Sequence, residues 1–183
     1  MTLKLAKRLQ ERQAGKVSLK SLEKVFLGQK VNPRLVETIL LNNTNNLVLD
    51  KVRDYFIARV VVGDKCALNI LVRASDEGLN KNVRSRLYAV DGLRNLAENG
   101  ELSALPGLSR IMNDSDEDVR SHAVGGLLNL AQKGELGALP GLLKAVNDSN
   151  SVVRWRAVSG LQHLARLKNK QAQEKLKQIY EEW

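Results

Sequence analysis

The chain has 183 residues, a mass of 20.3 kDa and a formal net charge of +9. This length suits one domain with its own core, and a hydrophobic content of 43% excludes a wholly disordered chain. No apolar run of about 18 residues predicts a membrane-spanning helix, and the single cysteine, Cys66, excludes a disulfide or a cysteine-based metal cluster within one chain. The first residues lack the apolar stretch of a secretory signal, so we expect a cytoplasmic protein.

The positive charge is concentrated at the start of the chain. Residues 1–34 hold nine basic and two acidic residues, a balance of +7, whereas the remainder holds 20 basic and 18 acidic residues, a balance of +2. We therefore expect a near-neutral body with a basic N-terminal arm that contacts something acidic. The residues that we assign to this arm are Lys4, Lys7, Arg8, Arg12, Lys16, Lys20 and Lys24.

Helical periodicity and turn residues divide the first half of the chain. Gly15 and Gly28 end two helices of an N-terminal hairpin, Gly63 ends a later helix, and Asp64 caps the next one. The NNTNN stretch at 42–46 predicts a turn. The predicted helices are 2–14, 18–27, 33–41, 47–62, 64–74 and 82–98.

The second half of the chain is an internal repeat. GLRNLAENGELSALPGLSRIMNDSDEDVRSHA begins at Gly92, and GLLNLAQKGELGALPGLLKAVNDSNSVVRWRA begins 34 residues later at Gly126. Each unit predicts two helices, with a proline in the first turn of one (Pro106, Pro140) and a glycine at a preceding helix end (Gly100, Gly134). The Asn-Asp-Ser clusters at 113–115 and 147–149 predict turns and helix N-caps.

Together these elements predict four helix pairs that stack and bury a continuous core. The pairs cover about 33–62, 64–98, 102–132 and 136–167, and a last helix covers about 170–182. We expect one all-α domain over 1–183, in which the hairpin 1–31 caps the repeats 33–167 at one end and residues 168–183 cap them at the other.

The repeats resemble HEAT repeats, particularly those of phycobilin-lyase-like proteins, in which a turn aspartate precedes an arginine by six residues. Asp114 with Arg120 and Asp148 with Arg154 match that spacing. The resemblance is specific over about 80–167 and weaker over 33–79, where Leu47 replaces the aspartate ahead of Arg53. The phrases GALPGLLKAV and GLLNLA also resemble armadillo repeats. The resemblance implies a right-handed α-solenoid whose second helices line a concave face, where ligands commonly bind.

A helical wheel separates structural from free side chains in the second helices. With Leu161 at the centre of the buried face, Arg154 falls on the buried side. Such an arginine needs the turn aspartate and loop carbonyls as partners. We therefore interpret one set of residues as structural: Arg86, Arg120, Arg154, Asp114 and Asp148.

On the opposite face of these helices, residues 34 apart in the sequence occupy equivalent positions in successive repeats, and we call each such row a ladder. Trp155 lies outward between two arginines, which is typical of an interface anchor, although it could instead pack on a neighbouring repeat or the last helix. Asn95 and Asn129 resemble the armadillo asparagines that hold a peptide backbone, since an amide both donates and accepts; alternatively each bonds a loop carbonyl. The candidate partner-binding residues are Tyr88, Asp91, Asn95, Ser121, His122, Asn129, Trp155, Arg156, Ser159 and His163.

The sequence lacks a recognisable reactive centre. His122 and His163 lie in different ladders, so no metal site is predicted. HEAT-like metal hydroxylases use paired His-Glu dipeptides, and the sequence contains none, which argues against that enzyme. Cys66, in the apolar segment DKCALNILVRA, is interpreted as a buried small hydrophobic residue. No phosphate-binding glycine loop or nucleophile motif is present. We expect no cofactor and no catalytic residue.

Three functions remain open at this point. The first is a non-enzymatic scaffold or adaptor that binds a protein partner on the concave face and an acidic group with its basic arm. The second is a bilin lyase-like or phycobilisome-related factor, which only the repeat subtype supports. The third is nucleic-acid binding, which the basic arm favours and the near-neutral body disfavours, because tracking a phosphate backbone requires a basic stripe.

Overall fold

A computed structural model describes residues 46–181, together with Glu37, Leu40 and Leu41. Within these residues the secondary structure is helical, with no strand. The helices are α1 (Asn46–Val61), α2 (Lys65–Ala74), α3 (Val83–Glu98), α4 (Leu105–Ile111), α5 (Glu117–Gln132), α6 (Leu139–Ala145), α7 (Ser151–Arg166) and α8 (Lys170–Glu181). Short 3-10 turns at Leu102–Ala104 and Leu136–Ala138 precede α4 and α6. None of these helices is long and apolar enough to cross a membrane.

The predicted N-terminal hairpin, the basic arm and most of the helix predicted at 33–41 lie outside the described residues, as do residues 42–45 of the turn predicted at 42–46. The last residue of that predicted turn, Asn46, instead begins α1. The chain divides after Gly92 into two compact units. Unit 1 contains α1, α2 and the first part of α3, and unit 2 contains the rest of α3 and the helices α4 to α8.

Unit 1 is built on the apolar stripes of α1 and α2. Val52, Phe56 and Leu71 are almost wholly buried, because residues three or four apart on a helix share one face. The predicted boundary between these helices is confirmed: Gly63 adopts a φ of 88°, and Asp64 caps α2 by accepting hydrogen bonds from the backbone N–H groups of Cys66 and Ala67.

Two details of unit 1 differ from the sequence prediction. Cys66 is exposed and not buried, because it lies in the first turn of α2, one residue before the buried stripe begins at Ala67. Arg53 is not the counterpart of the repeat arginines. Arg86 is the fourth residue of α3, and the fourth residue of α1, a helix of the same length, is Leu49, which is fully buried.

Unit 2 confirms the repeat and its period. The 3-10 turn, short helix and long helix over 102–132 recur at 136–166 with every boundary shifted by 34 residues. Gly100 and Gly134 have φ values of 86° and 87°, in the left-handed region that favours glycine. The prolines stand in the first turns of α4 and α6, as predicted.

The helix caps lie just beyond the predicted clusters. Asp116 and Asn150 cap α5 and α7, each accepting from two backbone N–H groups of the first turn. The Asn-Asp-Ser clusters supply the turns but not the caps. Within them, Asp114 and Asp148 accept from the N–H groups of Asp116 and Asn150, both at 2.9 Å.

The core of unit 2 lies between α4, α5, α6 and α7, and the last helix covers it at one end. Leu108, Leu127, Leu142 and Leu161 are fully buried. α8 packs on α7 and turns Ala172, Leu176 and Ile179 inward. The long helices α5 and α7 therefore each bury one face in the core, and their opposite faces carry the side chains described next.

Candidate binding face

The predicted ladder residues of unit 2 lie opposite the buried stripes of their helices. We call this surface the ladder face and define it by Asn95 on α3, Ser121, His122 and Asn129 on α5, and Trp155, Arg156, Ser159 and His163 on α7. On α7 the buried stripe consists of Val153, Ala157, Leu161 and Leu164. Because helical positions repeat every 3.6 residues, the ladder positions project away from the core.

Trp155 is the most exposed large apolar side chain of the ladder face. Its relative exposure is 67%, so packing on a neighbouring helix does not account for it. An exposed indole next to Arg156 supplies a large rigid contact area for a partner.

Asn129 is half-buried on α5, and its side-chain amide makes no hydrogen bond to any part of the chain that the structure describes. It therefore does not bond a loop carbonyl, the alternative considered for it. The amide keeps its donors and its acceptor for a partner, and a peptide unit has the matching groups. Asn95 and His163, the adjacent ladder positions, are half-buried as well.

Arg156 crosses from α7 to α5. Its Nη1 group donates to the carbonyl oxygen and to the Oγ atom of Ser121, both at 2.6 Å. The crossing passes Gly125, where the absence of a side chain leaves room: Nη1 of Arg156 and Cδ of Arg94 lie 3.9 and 3.5 Å from the point where a Cβ would stand. Two arginines from different helices thus meet over one glycine.

His122 is anchored within its own helix. Its Nδ1–H donates to the carbonyl oxygen of Asp118 at 2.8 Å, so Nε2 is the ring nitrogen left for other contacts. No group of three or more His, Cys, Asp or Glu residues in the described part of the chain is arranged to hold a metal ion.

Tyr88 and Asp91, the remaining ladder candidates, belong to unit 1 and surround Arg53. The Arg53 guanidinium lies 5.9 Å from the centre of the Tyr88 ring and forms ion pairs with Asp91, Asp50 and Asp54 at 2.9, 3.0 and 2.8 Å. These two candidates therefore already have intramolecular partners. The sequence interpretation missed this cluster because it treated Arg53 as the repeat arginine of a unit in which Leu47 replaces the aspartate.

The electrostatics of this cluster reflect burial and opposite charge. Desolvation is the largest single influence on the pKa of Arg53 and lowers it, but hydrogen bonding to Asp54 and the nearby carboxylates together raise it. Burial raises the pKa of Tyr88. Both groups keep their ordinary neutral-pH forms, a charged guanidinium and a neutral phenol.

The three arginines interpreted as structural bond to turn atoms. Arg86 is only 2% exposed and donates from Nη1 to the carbonyl of Asn80. Arg120 donates from Nη1 to the carbonyls of Asp114 and Ser115, and Arg154 does so to those of Asp148 and Ser149.

The carboxylate partner of Arg120 comes from the following repeat. Nε and Nη2 of Arg120 donate to the two oxygens of Asp148 at 2.8 and 2.9 Å, a forked contact between α5 and the turn before α7. This contact, first of all the hydrogen bond from Arg120, holds the pKa of Asp148 below its usual value and raises that of Arg120. The spacing of six residues within one repeat had suggested a partner in the same repeat.

Comparisons with known proteins agree with the repeat architecture. The profile of HEAT repeats matches residues 68–162 and 105–182, which together make up more than half of the chain. A designed armadillo repeat protein in complex with the peptide (KR)4 has a TM-score of 0.50 and 19% identity, covering 96% of this chain and 83% of the other. An engineered protein solved by a structural genomics consortium has a TM-score of 0.50 and 18% identity, covering 88% and 78%. No curated protein matches the chain.

Proposed function

The chain belongs to the HEAT repeat family, and from that premise we propose that it is a non-enzymatic scaffold that binds a protein partner on the ladder face. In this proposal the ladder face is the concave face of the repeats. The phycobilin-lyase-like subtype stays a prediction.

Trp155 is the observation that carries the proposal. A tryptophan that is two-thirds exposed costs free energy in water unless something covers it, and interface hot spots are rich in this residue. The amide of Asn129 complements it, because a segment lying across the helices would present peptide groups to that side chain. A designed armadillo protein of the same fold class binds a peptide, which supports an extended segment as the form of the partner.

Replacing Trp155 and Asn129 together by alanine tests the scaffold function. We expect the double variant to lose proteins that the wild-type chain captures from a lysate of its source organism, as quantified by mass spectrometry. The unfolding free energy should change by less than about 0.5 kcal/mol, because neither side chain contributes to the core.

The matched control replaces Leu136 and Asn147 by alanine. Leu136 is 53% exposed and lies in a 3-10 turn, and Asn147 is exposed in the turn before α7, so both lie off the ladder face. Equal capture by the two double variants would contradict the proposal. A loss of several kcal/mol in the Trp155 and Asn129 variant would instead assign those residues a structural role.

The basic arm adds an electrostatic contact in this proposal. Deleting residues 1–31 removes eight basic and two acidic residues. We expect the truncated chain to bind the captured partners more weakly at low salt and nearly as well as the full chain at about 1 M salt, where the Debye length is about 3 Å. Binding assays across a salt series check this. A large drop in thermal stability with unchanged salt dependence would show that the arm only caps the repeats.

A further inference from the structure

We propose that Arg156, which packs beside Arg94 over Gly125 on the ladder face, binds a carboxylate side chain of the partner segment. This inference rests on the proposed scaffold function and deepens it, because it gives the partner a chemical class: an acidic segment that carries aspartate or glutamate.

The first argument is the unused capacity of Arg156. A guanidinium has five N–H donors, and the two bonds of Arg156 to Ser121 both start from Nη1. Within the described residues, Arg156 forms no ion pair with a carboxylate. Its Nε and Nη2 groups can therefore make a forked contact with a carboxylate, the geometry in which arginine is most selective.

The second argument is that Ser121 fixes the position of Arg156. The two short bonds hold a long side chain that would otherwise lose rotamer freedom on binding. A half-buried cation in this position has also given up part of its hydration, so an incoming anion meets a preorganised group. Arg53 in unit 1 shows the opposite situation, since three carboxylates of its own unit surround it.

The third argument is the neighbourhood of Arg156. Because Gly125 has no side chain, Nη1 of Arg156 and Cδ of Arg94 pack over it, 3.9 and 3.5 Å from the point where a Cβ would stand. Trp155 precedes Arg156 in the sequence, and Asn129 lies one helical turn beyond Gly125. A segment whose acidic side chain pairs with Arg156 can therefore also reach the asparagine and the indole.

The charge of the surroundings favours an acidic peptide over a nucleic acid. Residues 93–183 hold 12 basic and 11 acidic residues, so unit 2 has a net charge of only +1. A phosphate backbone is tracked by a basic stripe, whereas a single carboxylate needs only one well-placed guanidinium. Arg156 supplies local positive charge on a nearly neutral surface.

The test uses the full-length chain and fluorescently labelled octapeptides of opposite charge. The acidic probe alternates aspartate and glutamate, (DE)4, and the basic probe is (KR)4. We expect (DE)4 to bind more tightly, and Arg156→Gln to weaken its binding at least about tenfold, because a charge-assisted forked contact is lost. Arg156→Lys should retain an intermediate affinity, since lysine keeps the charge and lacks the fork.

Arg166→Gln is the matched control. Arg166 is exposed on the same helix, ten residues further along, and its removal changes the net charge equally. The basic arm is identical in all variants, so its attraction for the acidic probe cancels in the comparison. We expect Arg166→Gln to weaken (DE)4 binding by about twofold or less.

Three results would overturn the inference: equal effects of Arg156→Gln and Arg166→Gln, tighter binding of (KR)4 than of (DE)4, or no binding of (DE)4. A single-stranded DNA oligonucleotide that loses affinity in Arg156→Gln as strongly as (DE)4 would assign Arg156 to phosphate binding instead. The scaffold proposal fails separately, since it fails if the Trp155 and Asn129 double variant captures the wild-type partners, whatever the octapeptides do.

Discussion

Replacing Asp148 by asparagine is expected to lower the free energy of unfolding by about 2 kcal/mol, the scale of a hydrogen bond to a charged group. Asp148 accepts both arms of the Arg120 guanidinium, and the two side chains are only 8% and 11% exposed. Asparagine offers one oxygen in place of two and no charge. Arg120 is then left largely buried without its counter-ion, which costs more than the same loss at an exposed site. Chemical denaturation at neutral pH measures the difference.

The same pair makes stability depend on pH in a defined window. The folded pKa of Asp148 is lowered, so its contribution is fully present above the unfolded value of about 3.9 and is lost as the pH falls through the folded value. We expect the difference in unfolding free energy between the wild type and Asp148→Asn to become smaller below about pH 4. Asp116→Asn is the control, because it also removes one carboxylate but keeps a residue that can cap the helix, as Asn150 does in the next repeat. A difference in unfolding free energy that stays constant down to pH 2 would contradict a stabilising ion pair between Asp148 and Arg120.

Replacing Gly126 by alanine is expected to destabilise the chain by about 2 kcal/mol, although alanine favours a helix by about 1 kcal/mol over glycine. A Cβ at residue 126 would lie 2.7 and 2.9 Å from the two terminal methyl groups of Leu108 and 3.3 Å from the Cα of Arg94. Leu108 is fully buried, and a close-packed interior leaves little room for another rotamer. Leu108 or the helices must therefore shift, and close packing is lost around them.

The neighbouring residue gives a matched control with the opposite expectation. A Cβ at Gly125 meets only Arg94 and Arg156 side-chain atoms, at 3.5 and 3.9 Å. We expect Gly125→Ala to leave stability unchanged or to raise it by up to about 1 kcal/mol. The unfolding free energies of the two variants should thus differ by about 2 to 3 kcal/mol for identical substitutions one residue apart. Equal unfolding free energies of Gly125→Ala and Gly126→Ala would contradict close packing of α5 on Leu108.

Much of the fold could be predicted because the sequence of the second half contains the same helical unit twice. The 34-residue offset gave the helix pairs, and glycines with positive φ gave the ends at Gly63, Gly100 and Gly134. The outward position of Trp155 also followed from periodicity alone. The N-caps were displaced by one residue or more, because Asp114 and Asp148 engage a turn N–H and leave the helix start to Asp116 and Asn150.

Contacts between helices could not be predicted in the same way. The spacing within one repeat does not reveal that Arg120 pairs with Asp148, since that depends on how α5 meets the next turn. The same holds for Arg94, which no ladder includes and which reaches Gly125 only because α3 and α5 approach closely there. Cys66 shows the limit within one helix: an apolar segment does not reveal where its buried stripe begins.

The pairing of Arg120 with Asp148 has a consequence for cooperativity. The turn that starts α7 is completed by a side chain of the preceding long helix, so the contact strengthens the coupling between neighbouring repeats in a nearest-neighbour description. The amides of α5 and α7 should then exchange hydrogen in one shared opening event. Removing this contact would weaken that coupling, and the amides of the last repeat should then exchange more readily than those of α5.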